Sequence, residues 1–142
     1  MPSIFSSLGL DTAQDSIIAG QSPSGRELLF LIDGFGADVL TTFASLAPNL
    51  AALASHATVQ TSFPSTTATS LATLTTGEMP GTHGMLGYTV QVPRSGGRVL
   101  NTLKWDERVD PVIWQPVPTL FERGIAAGIT TTHVAAKRYE NS

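Results

Sequence analysis

The sequence predicts an α/β protein, a three-layer sandwich of helices around a mostly parallel sheet. Three observations predict it. The apolar run ELLFLID, residues 27–33, is closed by Asp33-Gly34, the pattern of a strand buried on both faces. Stretches rich in β-branched residues recur at 57–63 (ATVQTSF) and 129–136 (ITTTHVAA). Between them lie segments with helical spacing and helix punctuation, so strands alternate with helices.

Taken in order, residues 1–26 read as a polar N-terminal arm ending in the turn-rich GQSPSG. After the first strand, ADVLTTFASL suits a helix with Ala37, Leu40, Phe43 and Ala44 on one face. Pro48 opens a second short helix, PNLAALASH, proline being tolerated in a first helical turn. TTATSLATLTTG has a helical period through Ala68, Leu71, Ala72 and Leu74, with Gly77 as its C-cap. EMPGTHGM reads as a loop. LGYTVQVPRSGGRVLNTL reads as two extended segments around a Ser-Gly-Gly turn, and the prolines make WDERVDPVIWQPVP loop-like. TLFERGIAAG is a helix, with Thr119 and Glu122 at capping-box spacing. Residues 27–142 thus form one domain. A strand followed by an abrupt stop at the C-terminus leads us to expect the front part of a longer protein.

Composition narrows the function classes. The 142 residues have room for one ordinary domain; 42% are hydrophobic and 13% charged. Net charge is −3, with no run of Lys or Arg, which argues against nucleic-acid binding through a basic face. Cysteine is absent, so disulfides and thiolate ligands are excluded, and any metal must be held by oxygen or imidazole. The N-terminus has no basic residue ahead of its short apolar stretch, unlike a secretory signal. No apolar run approaches twenty residues, so no membrane span is expected and a cytoplasmic location is the default. Oligomeric state leaves no trace in the sequence.

Two stretches could carry chemistry. Asp33 ends an apolar strand on a tight glycine turn, and ligands of open α/β sheets bind outside the carboxyl ends of strands. A carboxylate there can hold a cation; the plainer alternative is a turn residue or an N-cap for the helix at Ala37. The uncharged run FPSTTATSLATLTTG, residues 63–77, puts Thr66 and Thr67 in the first turn of a helix. Backbone N–H groups at a helix start attract phosphate. A threonine hydroxyl is a weak nucleophile at neutral pH and gains strength when a cation holds it deprotonated. The plainer alternative is hydroxyl capping. His83 sits between glycines, where a structural role outweighs ligation. His56 ends a helix, and His133 alternates within a strand as a half-buried residue. Walker A, G-x-S-x-G, H-E-x-x-H and G-x-G-x-x-G motifs are absent.

Together, LLFLIDGFGADVL, APNLAALA and TSFPSTTATSLATLTTGEMPGTHGMLGY resemble the alkaline phosphatase superfamily, in particular its type I phosphodiesterase/nucleotide pyrophosphatase branch. The matching blocks are Asp33-Gly34, Pro48-Asn49-Leu50, Pro64 to Thr67, Thr76-Gly77, Pro80 and His83-Gly84, in the family's order. The resemblance implies an alkaline-phosphatase-like catalytic domain, of which residues 27–142 would be the N-terminal part. It implies a metal-dependent hydrolase of small-molecule phosphoric esters with two divalent ions, zinc ahead of manganese. Asp33 would be a metal ligand. Thr67 would be both metal ligand and nucleophile, forming a phosphoryl- or nucleotidyl-threonine that water hydrolyses. Its register with Pro64 and its gap to Gly77 favour Thr67 over Thr66.

This sequence departs from the family at two points. Where better-known members place an asparagine soon after the His-Gly, Tyr88 stands in register. Either Tyr88 donates to the phosphoryl oxygen, or Asn101 reaches in, or the contact is missing, which leaves diester against monoester open. The remaining ligands that the resemblance implies, Asp and His residues, lie beyond Ser142, so the piece is expected to be half a site with apolar surface from LLFLI and ITTTHVA exposed. A sulfatase is disfavoured, since no cysteine exists and no arginine follows Pro64 in its loop. A phosphomonoesterase, a phosphonate hydrolase and a non-catalytic remnant stay as alternatives.

Overall fold

The computed structural model describes residues 1–12, 25–54 and 58–137. They divide into two compact units, Leu28–Thr61 on one side and Met1–Glu27 with Ser62–Ser142 on the other.

The larger unit is built around short helices. Helix α1 (Pro2–Ser7) starts with proline in its first turn, and its Phe5 is buried. The segment expected to be only a polar arm therefore carries part of the core. In the smaller unit, α2 (Ala37–Thr42) is followed by a 3₁₀ turn at Ala44–Leu46 and by α3 (Pro48–Leu53). Back in the larger unit, α4 (Thr67–Thr76) ends at Gly77, whose φ of 79° is the left-handed C-cap that glycine adopts without strain. Helix α5 (Pro80–His83) falls inside EMPGTHGM: proline at its start and a left-handed Gly84 at its end give a single turn where a loop was expected. The expected hairpin forms, as strands β1 (Thr89–Gln91) and β2 (Val99–Asn101) pair antiparallel with Val90 opposite Leu100. Its turn is closed by Ser95, whose Oγ donates to the Val92 carbonyl and accepts the Arg98 N–H. Helix α6 (Pro111–Trp114) is capped by Asp110. Helix α7 (Leu120–Ala126) carries the full capping box between Thr119 and Glu122.

The core joins α1, α4 and α7. Phe5 meets Phe121 edge to face, with ring centroids 5.8 Å apart. Gly124 makes this approach possible, because a Cβ built there would lie 2.5 Å from the Phe5 ring. Helix α4 packs on α7, and Leu120 and Leu100 are fully buried. The buried face of α4 differs from the apolar face the sequence suggested. It holds Ala68, Thr69 and Thr76, while Leu71 stays 37% exposed. Hydroxyls can be buried because each finds a partner: Thr76 Oγ1 donates to the Ala72 carbonyl at 2.6 Å, and Thr69 Oγ1 lies 2.9 Å from Thr66 Oγ1.

Among the described residues the only ladder is that hairpin, so the three-layer parallel sandwich is not formed there. Residues 27–32, 58–61 and 129–136 run without strand pairing. Leu28 and Phe30 are 88% and 78% exposed, and Val134 is also exposed, in line with the apolar surface expected from these segments. The physical reason is that an apolar run becomes a central strand only when both edges are paired and both faces covered. No helix of the described residues is long and apolar enough to cross a membrane.

Candidate functional site

The hydroxyl-rich stretch folds as a loop feeding a helix. Its Phe63–Pro64 peptide is cis, and the Thr66 N–H donates to the Pro64 carbonyl at 2.9 Å. Thr66 then has extended backbone (φ −94°, ψ 153°) and caps α4. Its Oγ1 accepts the Thr69 N–H at 3.3 Å and lies 2.9 Å from Thr69 Oγ1. The first N–H groups of a helix have no partner within it, which is why a hydroxyl at this position is favoured. The structure thus separates two residues that the sequence left adjacent: Thr66 is committed to the cap, and Thr67 is the first helical residue, half-buried.

His83 lies behind this helix and is 1% exposed. Its Nδ1 accepts the Met85 N–H at 3.1 Å, and its Nε2 lies 2.9 Å from Thr73 Oγ1. Burial pushes its pKa below the ordinary imidazole value, opposed by a backbone hydrogen bond and by the charge of Glu78. The structural role read from the sequence is therefore observed, although its depth of burial was not legible there.

Tyr88 and Asn101 both lie at one end of the hairpin, with no contact between their side chains implied by the register. Thr89 pairs with Asn101, and the Tyr88 carbonyl accepts the Thr102 N–H at 3.0 Å. Asn101 Oδ1 takes the Leu103 N–H, so the amide nitrogen is the end of this side chain with hydrogens to donate. Tyr88 is 45% exposed.

Asp33 belongs to the Leu28–Thr61 unit, whereas Thr67, Tyr88 and Asn101 belong to the larger one. Asp33 sits on a turn with Gly34, whose φ is 71°. It is not the N-cap of α2, because Gly36 holds that position without a side-chain bond. One of the two plain explanations of Asp33 is thereby removed.

The other histidines stand apart. His133 is exposed rather than half-buried within a strand, and its ring lies 6.2 Å from Phe121. His56 lies outside the described residues. Among the described residues no three His, Cys, Asp or Glu side chains cluster closely enough to hold a metal ion.

What sequence reading missed is the set Ser62, Thr73 and His83. The only available signal was a histidine flanked by turn formers, downstream of a threonine-rich helix.

A family model described as type I phosphodiesterase / nucleotide pyrophosphatase matches residues 28–137, a span that includes Asp33, Thr67, Tyr88 and Asn101. No curated protein and no solved structure matches the chain.

Proposed function

The chain belongs to the type I phosphodiesterase/nucleotide pyrophosphatase family, and from that premise we propose that it supplies the nucleophile of a phosphoric ester hydrolase, Thr67. The family has an alkaline-phosphatase-like α/β fold and acts on phosphate esters. The observation that carries the residue assignment is the cap of α4. Thr66 spends its hydroxyl on Thr69, and Thr67 follows as the first residue of the helix.

In this reading Thr67 Oγ attacks phosphorus, the bond from phosphorus to the leaving alkoxide breaks, and the Oγ proton passes to solvent. The leaving alkoxide takes up a proton. Water then attacks the phosphothreonine, and the second step returns the hydroxyl and releases the product. The positive end of the α4 dipole favours the charge that gathers on the oxygens. Tyr88 Oη or, in its place, Asn101 Nδ2 is the donor proposed for a phosphoryl oxygen.

The family is typically metal-dependent, and divalent ions, zinc first, would supply a lowered hydroxyl pKa and charge neutralisation. Asp33 and Thr67 are oxygen donors of a suitable kind, and we propose them as ligands. They fall short in number of the four that a zinc site needs. The described residues hold no metal-binding cluster to complete them.

The test is covalent trapping. The full chain is incubated with bis-p-nitrophenyl phosphate and zinc, then peptide-mapped by mass spectrometry. The expected result is a p-nitrophenylphosphoryl adduct on Thr67 that Thr67→Ala abolishes and Thr66→Ser retains. An adduct on Ser65 or Thr66 would overturn the assignment, and release of nitrophenol at full rate by Thr67→Ala would overturn the mechanism. The same experiment with a nitrophenyl monoester decides between diester and monoester.

A further inference from the structure

The loop that leads into α4 is held at both ends. At its far end the Thr66 cap fixes the helix start. At its near end Thr73 Oγ1 donates to Ser62 Oγ across 3.3 Å. Behind Thr73 lies His83, and the polarity of this chain of bonds follows from one contact. Since the Met85 N–H donates to Nδ1, that nitrogen carries no proton and the neutral ring is the Nε2–H tautomer. Nε2–H therefore donates to Thr73 Oγ1 at 2.9 Å, and the Thr73 hydroxyl proton is directed onward to Ser62.

We propose that His83 is a positioning residue for the nucleophile loop, a buried neutral imidazole that fastens Ser62 to the middle of α4 through Thr73. Its place in catalysis rests on the reading of Thr67 as nucleophile. The fastening itself does not. The ring is not a general base for this loop, because its one lone pair is occupied by the Met85 N–H. Its work is to set the spacing between Ser62 and Thr66, the two anchors of the loop that delivers Thr67.

The arrangement responds to pH. Protonating the ring would put a hydrogen on Nδ1 facing the Met85 N–H, donor against donor, in a site that is 1% exposed. Glu78 is the acidic group whose charge favours protonation, and it is outweighed by burial. Apart from His83 itself, helices α4 and α5 and residues 62–66 carry no titratable side chain. The folded pKa is thus lowered, so the open loop binds the proton more readily than the fastened one. The fastening is complete above the ordinary imidazole value and is lost as pH falls below it toward the lowered value.

Two measurements on the full chain test this. Long-range nitrogen–proton NMR of the wild-type ring reads the tautomer directly. The expected spectrum is Nε2–H at neutral pH with a titration midpoint below the ordinary value, about 6.5. An Nδ1–H tautomer, or a midpoint above that value, overturns the proposal whether or not any variant folds. Amide hydrogen exchange then reads the loop. Protection at residues 62–67, corrected for the intrinsic pH dependence of exchange, should fall as pH is lowered from about 7 to about 5, the direction that the lowered pKa of the buried ring sets. His83→Gln keeps an N–H within reach of Thr73 and does not titrate, so it should retain protection and flatten the pH profile. His83→Leu and Thr73→Val should lose protection at 62–67 while β1 and β2 keep theirs. Ser62→Ala, which removes the longest bond of the three, should lose least. Uniform loss across the chain in His83→Leu, or an unchanged pH profile in His83→Gln, would reduce His83 to a core residue and end the proposal. Loss of trapping at Thr67 with the loop behaviour intact would instead strike the nucleophile assignment.

Discussion

The two units invert the usual expectation about hydrophobicity. Leu28–Thr61 opens with the most apolar run of the chain, yet none of its described residues is buried. The larger unit buries Phe5, Ala68, Leu100, Val109 and Leu120, and fills much of its interior with Thr69, Thr76, Thr102 and His83. The difference lies in what each segment needs from elsewhere. Helices α2 and α3 form from local signals, an acidic residue in the first turn of one and proline at the start of the other. The run ahead of them needs a ladder on each edge and cover on each face. Where those are missing, apolar character alone does not bury a strand.

The same substitution made in both units gives the largest expected contrast. Leu120→Ala, at a fully buried site, should cost about 2–5 kcal/mol in urea denaturation. Leu28→Ala, at a site 88% exposed, should fall within about 0.5 kcal/mol of the parent. A comparable loss at Leu28 would mean that the run is covered in solution and would break the comparison. A sharper form uses a hydrophobic dye. The wild-type chain should bind it, and Phe30→Ser with Leu28→Ser should lower the signal at unchanged midpoint.

Next in size is the contact that Gly124 permits. In Gly124→Ala the new Cβ would meet Phe5 at 2.5 Å, an overpacking expected to cost about 1–3 kcal/mol. The cost should shrink when Phe5→Leu is made in the same chain, since residues in contact do not act additively. Full additivity would show that α1 is not seated on α7 in solution.

How much could be read from the sequence depends on the range of the forces involved. Thr119 with Glu122, Gly77 after α4, Pro48 before α3 and the Ser95–Gly97 turn were all legible because each is decided within a few residues. The α5 turn was not, although Pro80 and Gly84 are its punctuation, because a four-residue helix has too little periodicity to register. The buried face of α4 was misread for another reason. Threonine hydroxyls that bond back to Thr66 or to the Ala72 carbonyl are as buriable as methyl groups, and only coordinates reveal those bonds. The strands depended on partners distant in sequence, which periodicity does not supply. At the candidate site, the block from Pro64 to Thr67 was legible as a motif. The division of labour between Thr66 and Thr67 depended on which hydroxyl faces Thr69.

Smaller effects separate the helix caps of the two units. Thr119→Ala removes the side-chain half of the capping box on α7, in which Thr119 Oγ1 accepts the Glu122 N–H and donates to Glu122 Oε2, and leaves the backbone N–H that donates to Glu122 Oε2 at 2.7 Å. Thermal melts should show a loss of about 0.5–2 kcal/mol. Those bonds also hold the Glu122 carboxyl below its ordinary pKa. The stability it contributes is therefore present above the ordinary carboxylate value and is lost as pH falls through the lowered one. Glu122→Gln, which cannot titrate, should accordingly flatten the acid limb of the stability profile, with Thr119→Ala flattening it only in part because the backbone N–H remains; an unchanged limb in Glu122→Gln would show the box to be open in solution.

The smallest effect should come from supplying α2 with the cap it lacks. Gly36 already has the extended backbone of an N-cap, φ −86° and ψ 169°, and a Cβ there meets nothing within 4 Å. Gly36→Ser adds a hydroxyl that can accept an N–H in the first turn without strain, so the gain should be a few tenths of a kcal/mol, about twofold in the protection of the α2 amides. The size of this change matters more than its sign. A helix in a unit with no buried residue among those described has little besides its own ends to hold it, so the added cap should be read in full by α2 amides and scarcely by those of α7. If protection instead rose in both units together, they would open as one cooperative body. The contrast between a locally encoded unit and a packed one would then describe the folded contacts but not the unfolding.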